Sequence, residues 1–246
     1  MFFIETLIET ISSQYTINQK RIYVCGYSLG GEFTYDLLCR LNNKIASGAG
    51  VARTMQQYTY DICAPVHPTA VMTILGTDDS TSPYEGLVWG GESYYVSADD
   101  MHAYWSTYNN TDSSPVEIDL PNISLNDGST VQRRSWINGD NCVSVEELKV
   151  DGGGHDWPGA FGNMDIFADE EIWNFVSKHN IDGLIDCESL SIIEEGLNIK
   201  TKELLKTINL LGQEVKYRNS ENGEILFKIY DDVDLKKRAI RMIDWE

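Results

Sequence analysis

The chain has 246 residues, of which 42% are hydrophobic and 11% aromatic, enough for a folded core and for one ordinary domain with a smaller companion. Its 38 acidic against 19 basic residues leave a formal net charge of −19, which repels phosphate backbones and anionic membrane surfaces and argues against nucleic acid as a partner. No apolar run approaches the roughly 20 residues needed to span a bilayer.

The opening Met1-Phe-Phe-Ile-Glu-Thr-Leu-Ile-Glu-Thr has no basic flank, and Glu5 and Glu9 interrupt its apolar residues, so it does not read as a signal peptide. It reads as an amphipathic helix ending near Ser12–Ser13, with Phe3, Leu7 and Ile11 at helical spacing and Ile4 and Ile8 beside them. Arg21-Ile-Tyr-Val-Cys-Gly26 is a short β-branched and aromatic run, expected to be a buried strand with Cys25 as a small buried hydrophobe. A helix follows from about Gly31 to Leu41, then a small-residue strand over Ala46–Ala52. Ala70–Leu75 is a strand bounded by Pro68 and Gly76. Residues 80–140 are polar and irregular, with a helix around Asp99–Tyr108. Val143–Val150 reads as a strand running into Asp151-Gly-Gly-Gly154, and Ile166–His179 as a helix with Ile172, Trp173, Phe175 and Val176 on its apolar face. Strands alternating with helices predict an α/β domain with a parallel sheet covered on both faces. The five cysteines fit neither a zinc nor a CxxC pattern. Two of the four besides Cys25 can pair in an exported protein, and spacing does not choose which.

Gly26-Tyr-Ser28-Leu-Gly30 matches G-x-S-x-G between a predicted strand and a predicted helix. In that context the tight turn lifts the Ser28 hydroxyl above the sheet, and the helix N-terminus brings the Leu29 N–H to where an oxyanion forms. A serine hydroxyl is a weak nucleophile near neutral pH and needs a base. Of the four histidines, His67, His102 and His179 read as solvated or core-edge residues. His155 differs, because Gly152-Gly-Gly-His155-Asp-Trp-Pro-Gly159 places it after a strand, in a loop whose glycines allow close approach to another backbone. The orienting acid should follow a strand between serine and histidine, where Asp78 and Asp79 stand side by side, and periodicity does not choose between them.

Three stretches carry a resemblance: RIYVCGYSLGGEFTYDLLCRL, GTDDSTSPYEG and GGGHDWPG. Residues 1 to about 180 resemble the α/β-hydrolase esterase family that includes polyhydroxybutyrate depolymerase-like enzymes, feruloyl esterases and acetylxylan esterases. The family's histidine motif is GGGHTWPG, so Asp156 stands here in place of a threonine. Its acid loop, similar to GTADPVVPY, lays its aspartate on Asp79, with departures at Ser80–Ser82. Trp157 matches a family tryptophan that either lines the acyl pocket or wedges the loop. The resemblance implies a serine esterase with a Ser28–His155–Asp79 triad and Leu29 as an oxyanion donor. It also implies feruloyl or acetyl esters of polysaccharide as substrates, and no metal or organic cofactor. Hydroxyalkanoate polyester is the second substrate class. In the family, four strands and a His-Gly oxyanion loop precede the helix that opens this chain, so the expectation is a partial α/β-hydrolase fold, truncated at its N-terminus. A different class follows from that same gap: a catalytically inactive exported fragment or binding remnant.

Composition shifts after His179. Residues 181–199 read as a linker, and 200–246 as a small all-β unit of about 45 residues, fewer than normally fold unaided. Glu224–Tyr230 alternates in polarity, and Leu235–Ile243 is a basic, apolar strand candidate. The KELLKTINLLGQE, EILFKIYDD and KKR stretches resemble the C-terminal sorting domain of type IX secretion substrates. That resemblance implies the secretion machinery as a partner and a secreted or cell-surface protein. The alternative is an accessory β module.

Overall fold

The computed structural model describes residues 2–187, together with the strand backbones of 204–209, 226–230 and 239–243. Contacts divide the chain into two units, Met1–Ser191 and Ile192–Glu246.

In the first unit, helix α1 (Phe2–Gln14) leads into strand β1 (Tyr23–Tyr27), helix α2 (Leu29–Arg40), strand β2 (Ser47–Val51), helix α3 (Gln57–Ile62) and strand β3 (Ala70–Gly76). A hairpin of β4 (Leu87–Trp89) and β5 (Glu92–Tyr95) follows, then helix α4 (Ala98–Tyr108) and strands β6 (Val116–Asp119), β7 (Thr130–Trp136) and β8 (Val145–Asp151). Helix α5 (Ala168–Val176) and a two-stranded pair, β9 (His179–Asn180) and β10 (Gly183–Leu184), complete it. Six strands form one sheet in the order β1-β2-β3-β8-β7-β6. Pairing is parallel from β1 through β8 and antiparallel from β8 to β7 to β6. The fold class is mixed α/β, as the alternation of strands and helices predicts, and the sheet is not purely parallel.

Strands β2 and β3 are buried at every residue, as befits interior strands of the sheet. Side chains of a strand alternate between faces. Val71 and Leu75 of β3 accordingly join one core with Tyr35, Leu38, Met101 and Trp105 from α2 and α4. Met72 and Ile74 join the other with Ile172, Phe175 and Val176 from α5. Helix α1 packs only through Ile4 and Ile8, while Phe3 is 73% exposed and Leu7 and Ile11 also face outward. The apolar stripe of that helix is therefore half used.

Two expectations are corrected and a third is narrowed. Cys25 is exposed, not buried, because β1 is an edge of the sheet among the described residues. The stretch 80–140 contains four strands besides α4. Every residue of β6 is exposed, and β7 buries only Val131 and Trp136, so neither shows the apolar alternation that would announce it. Of the solvated and core-edge readings of His102 and His179, burial excludes the solvated one. Burial, followed by the Arg134 charge, holds His102 down at about 3, so it is neutral near pH 7, stacked on Trp136 with its Nε2 at 2.9 Å from Thr73 Oγ1.

Two disulfides tie the unit, Cys39–Cys63 and Cys142–Cys187, closing separations of 24 and 45 residues. Each such crosslink typically contributes about 2–4 kcal/mol by restricting the unfolded chain. Among the described residues no helix is long and apolar enough to cross a membrane.

In the second unit, β11 (Leu204–Asn209), β12 (Leu226–Tyr230) and β13 (Ala239–Ile243) form an antiparallel sheet in that order. The side chains of the sorting-type segment and most of the linker stretch lie outside the described residues.

Candidate active site

Ser28 sits between β1 and α2 with φ 54 and ψ −119, a backbone conformation that non-glycine residues rarely adopt. Its N–H donates to the Val51 carbonyl (2.9 Å) and its carbonyl accepts from Glu32 N (3.1 Å), so both neighbouring elements hold the strained turn. A side chain at Gly26 would overlap the Gly30 carbonyl, which explains the first glycine of the motif. Gly30 itself faces open space, and it is Gly31 whose added Cβ would press on Val51 O and Arg53 Cβ, at 3.1 and 3.3 Å. The second steric demand therefore falls one residue beyond the motif. Leu29 opens α2, 66% exposed, and its N–H has no acceptor among the described residues.

His155 reaches this turn from the loop after β8. Its Nε2 lies 2.9 Å from Ser28 Oγ and its Nδ1 2.7 Å from Asp79 Oδ2. A carboxylate only accepts, so Nδ1 carries the proton and Nε2 is left to accept from the Ser28 hydroxyl. Asp79 is 3% exposed, and its other oxygen accepts from the N–H groups of Thr81 and Ser82, both at 2.8 Å. Asp78 is exposed, with its backbone N–H donating to Gly153 O (2.9 Å). The structure thus brings Ser28, His155 and Asp79 into one hydrogen-bonded line and leaves Asp78 outside it.

Residues that the motif does not name support this line. The Tyr27 hydroxyl donates to the His155 carbonyl (2.7 Å), and its ring lies 5.1 Å from the imidazole. Burial, then the charges of Asp79 and Asp156, push the Tyr27 phenol up, which keeps it a donor. Tyr84 ends the acid loop, and its hydroxyl donates to Glu147 Oε1 (2.8 Å), a carboxylate buried within the sheet. Arg134 Nη1 donates to the other oxygen, Glu147 Oε2 (2.8 Å). Asp156 accepts from Gly154 N (2.9 Å) and closes the turn around the histidine. Their sequence signals are faint. Tyr27 occupies a variable position of the motif, and the Tyr84–Glu147 pair spans 63 residues.

Trp157 is half-buried, edge-on to Tyr27 at 6.2 Å, and bridged through its backbone to Phe161. It also lines an apolar groove of about 360 Å³ with Tyr23, Cys25, Ile172 and Trp173, along the outer strand β1. The Tyr27 contact seats the ring beside the histidine loop, and the lining of the groove does not include Ser28, Leu29 or His155.

Among the described residues no group of histidines, cysteines and carboxylates could hold a metal ion. No family profile matches the chain. It is 26% identical over 180 residues to a bifunctional acetylxylan esterase/xylanase of Neocallimastix patriciarum, covering 73% of this chain and 23% of that protein. Feruloyl esterase B of Piromyces equi is 25% identical over 195 residues, covering 73% of this chain and 31% of that protein. The chain thus spans between about a quarter and a third of the length of these relatives. An acetyl xylan esterase from Aspergillus awamori superposes with a TM-score of 0.46 at 13% identity, covering 71% of this chain and 65% of that one.

Proposed function

We propose that the chain hydrolyses carboxylic esters through a Ser28–His155–Asp79 triad on an α/β-hydrolase fold. The observation that carries this is the line Ser28 Oγ–His155 Nε2 at 2.9 Å and His155 Nδ1–Asp79 Oδ2 at 2.7 Å, built on a turn with positive φ. In this reading Ser28 Oγ attacks the ester carbonyl carbon while its proton passes to His155 Nε2. The carbonyl π pair moves onto oxygen, and the Leu29 N–H donates to that oxyanion. One such donor is worth about 10²–10³ in rate. The tetrahedral centre collapses, the C–O bond to the alcohol breaks, and His155 returns the proton to the departing oxygen. Water then repeats the sequence on the acyl-enzyme and frees Ser28. Asp79, fixed by two backbone N–H groups, holds the imidazole tautomer and steadies the imidazolium.

Acetyl or feruloyl esters of plant polysaccharide are the proposed substrates, supported by the names of the two relatives above. The two disulfides support an oxidising, extracytoplasmic location. The 200–246 segment is proposed to be the sorting signal that delivers the protein there.

The direct test is acid release. The chain is incubated with acetylated xylan, feruloylated arabinoxylan oligosaccharide and polyhydroxybutyrate, and free acids are quantified by chromatography. Release of acetate or ferulate is expected. Release of hydroxybutyrate alone would move the assignment to polyester. No acid from any of the three, from a folded chain, would favour the inactive remnant.

A further inference from the structure

Arg53 stands two residues beyond β2, at the carboxyl end of the sheet, where ligands of open α/β sheets gather. The preceding Ala52 has a positive φ of 53, which turns the chain there. Arg53 is pinned beside the first turn of α2, the turn that Ser28 begins. Its Cβ would lie 3.3 Å from a Cβ on Gly31, and its carbonyl accepts from the Tyr35 hydroxyl (3.1 Å). The side chain is 7% exposed, and its guanidinium lies over the Tyr95 ring at 4.6 Å. The Tyr95 hydroxyl in turn donates to Glu32 Oε2 (2.7 Å), which locks that platform in place.

One nitrogen of this guanidinium lacks an acceptor among the described residues. Its Nε is fully buried with no hydrogen-bond partner, and the adjacent Thr54 Oγ1 is equally unpartnered. No carboxylate among the described residues comes within ion-pair distance of it. Within residues 2–187 the other arginines are served: Arg40, Arg133 and Arg134 each meet a carboxylate, and Arg21 donates to the Ser177 carbonyl. A buried arginine with no carboxylate partner among the described residues is a costly exception. Planar bidentate recognition of a carboxylate is what a preorganised guanidinium does best.

We propose that Arg53 is a carboxylate subsite beside Ser28, selecting esters that carry a second, free carboxylate. This deepens the esterase reading and rests on it for the identity of the site. Two sources share the chemistry: a uronate on the sugar chain, or a free carboxyl at the far end of the acyl group.

The test has a binding arm and a kinetic arm. Equilibrium binding to Ser28→Ala protein is measured for a uronate-substituted xylo-oligosaccharide and for the neutral oligosaccharide of equal length. Turnover is measured for mono-p-nitrophenyl succinate and for p-nitrophenyl butyrate. Preference for the charged partner by about tenfold or more is expected in one arm, and that arm identifies the source. The preference should shrink between 0.05 and 0.5 M salt, as roughly set by screening. It should vanish in Arg53→Gln and persist in part in Arg53→Lys. Equal treatment of charged and neutral partners by the unsubstituted residue 53 in both arms overturns the proposal, whatever the variants do. So does a preference that survives Arg53→Gln. A uronate preference in binding without any turnover would refute the esterase reading and still support the subsite.

Discussion

Replacing Ser28 by Ala is expected to cut turnover of p-nitrophenyl acetate by about 10⁴-fold or more, because the triad acts as a unit and loss of its nucleophile removes the covalent path entirely. The substitution deletes one hydroxyl from a position whose backbone is held by Val51 O and Glu32 N, neither of which involves the side chain. The fold should therefore survive, and the loss should appear in kcat with little change in the melting temperature. Retention of more than about a hundredth of the rate would point to another nucleophile, since residual catalysis without the triad comes only from binding and the oxyanion donor.

The second large effect separates two neighbouring acids. Asp79→Asn should lower kcat by about 10⁴-fold, because an amide can present its NH₂ to His155 Nδ1 and fix the wrong tautomer. Asp78→Asn should change kcat by less than about threefold, since that carboxylate is exposed and outside the hydrogen-bonded line. Steady-state kinetics of both variants on one substrate decide the matter. The opposite ranking would assign the acid to Asp78.

How much of this was readable in the sequence depends on whether the signal is local. Ser28 and His155 announce themselves through glycines within a few residues, because a strained turn and a close loop approach both need missing side chains nearby. The choice between Asp78 and Asp79 is not in the local pattern. It rests on the turn in which the Thr81 and Ser82 N–H groups fold back onto Asp79 Oδ1 and point its other oxygen inward. The family's acid loop pointed to Asp79 only by alignment. Strand β6 is exposed throughout and so has no buried face to announce it, and the charges of β7 are answered at long range. Arg133 pairs with Glu146 and Glu171, and Arg134 with Glu147, so polar residues sit where apolar alternation was sought. Cys25 reads as core because its strand is apolar, and strand composition does not reveal which strand lies at an edge. Disulfide pairing is equally non-local, with separations of 24 and 45 residues. Arg53 gives no sequence signal at all, since what marks it is a buried Nε with no acceptor among the described residues.

The central claim is that Ser28 is a nucleophile activated by His155, and it can be tested without choosing a substrate. The folded chain is treated with a fluorophosphonate, which replaces its fluoride by an activated serine oxygen, and the product is mapped by mass spectrometry. The account predicts one phosphonyl group per chain, on Ser28, absent from the denatured chain and from His155→Ala. An unlabelled folded chain, or a label on any other residue, would contradict it.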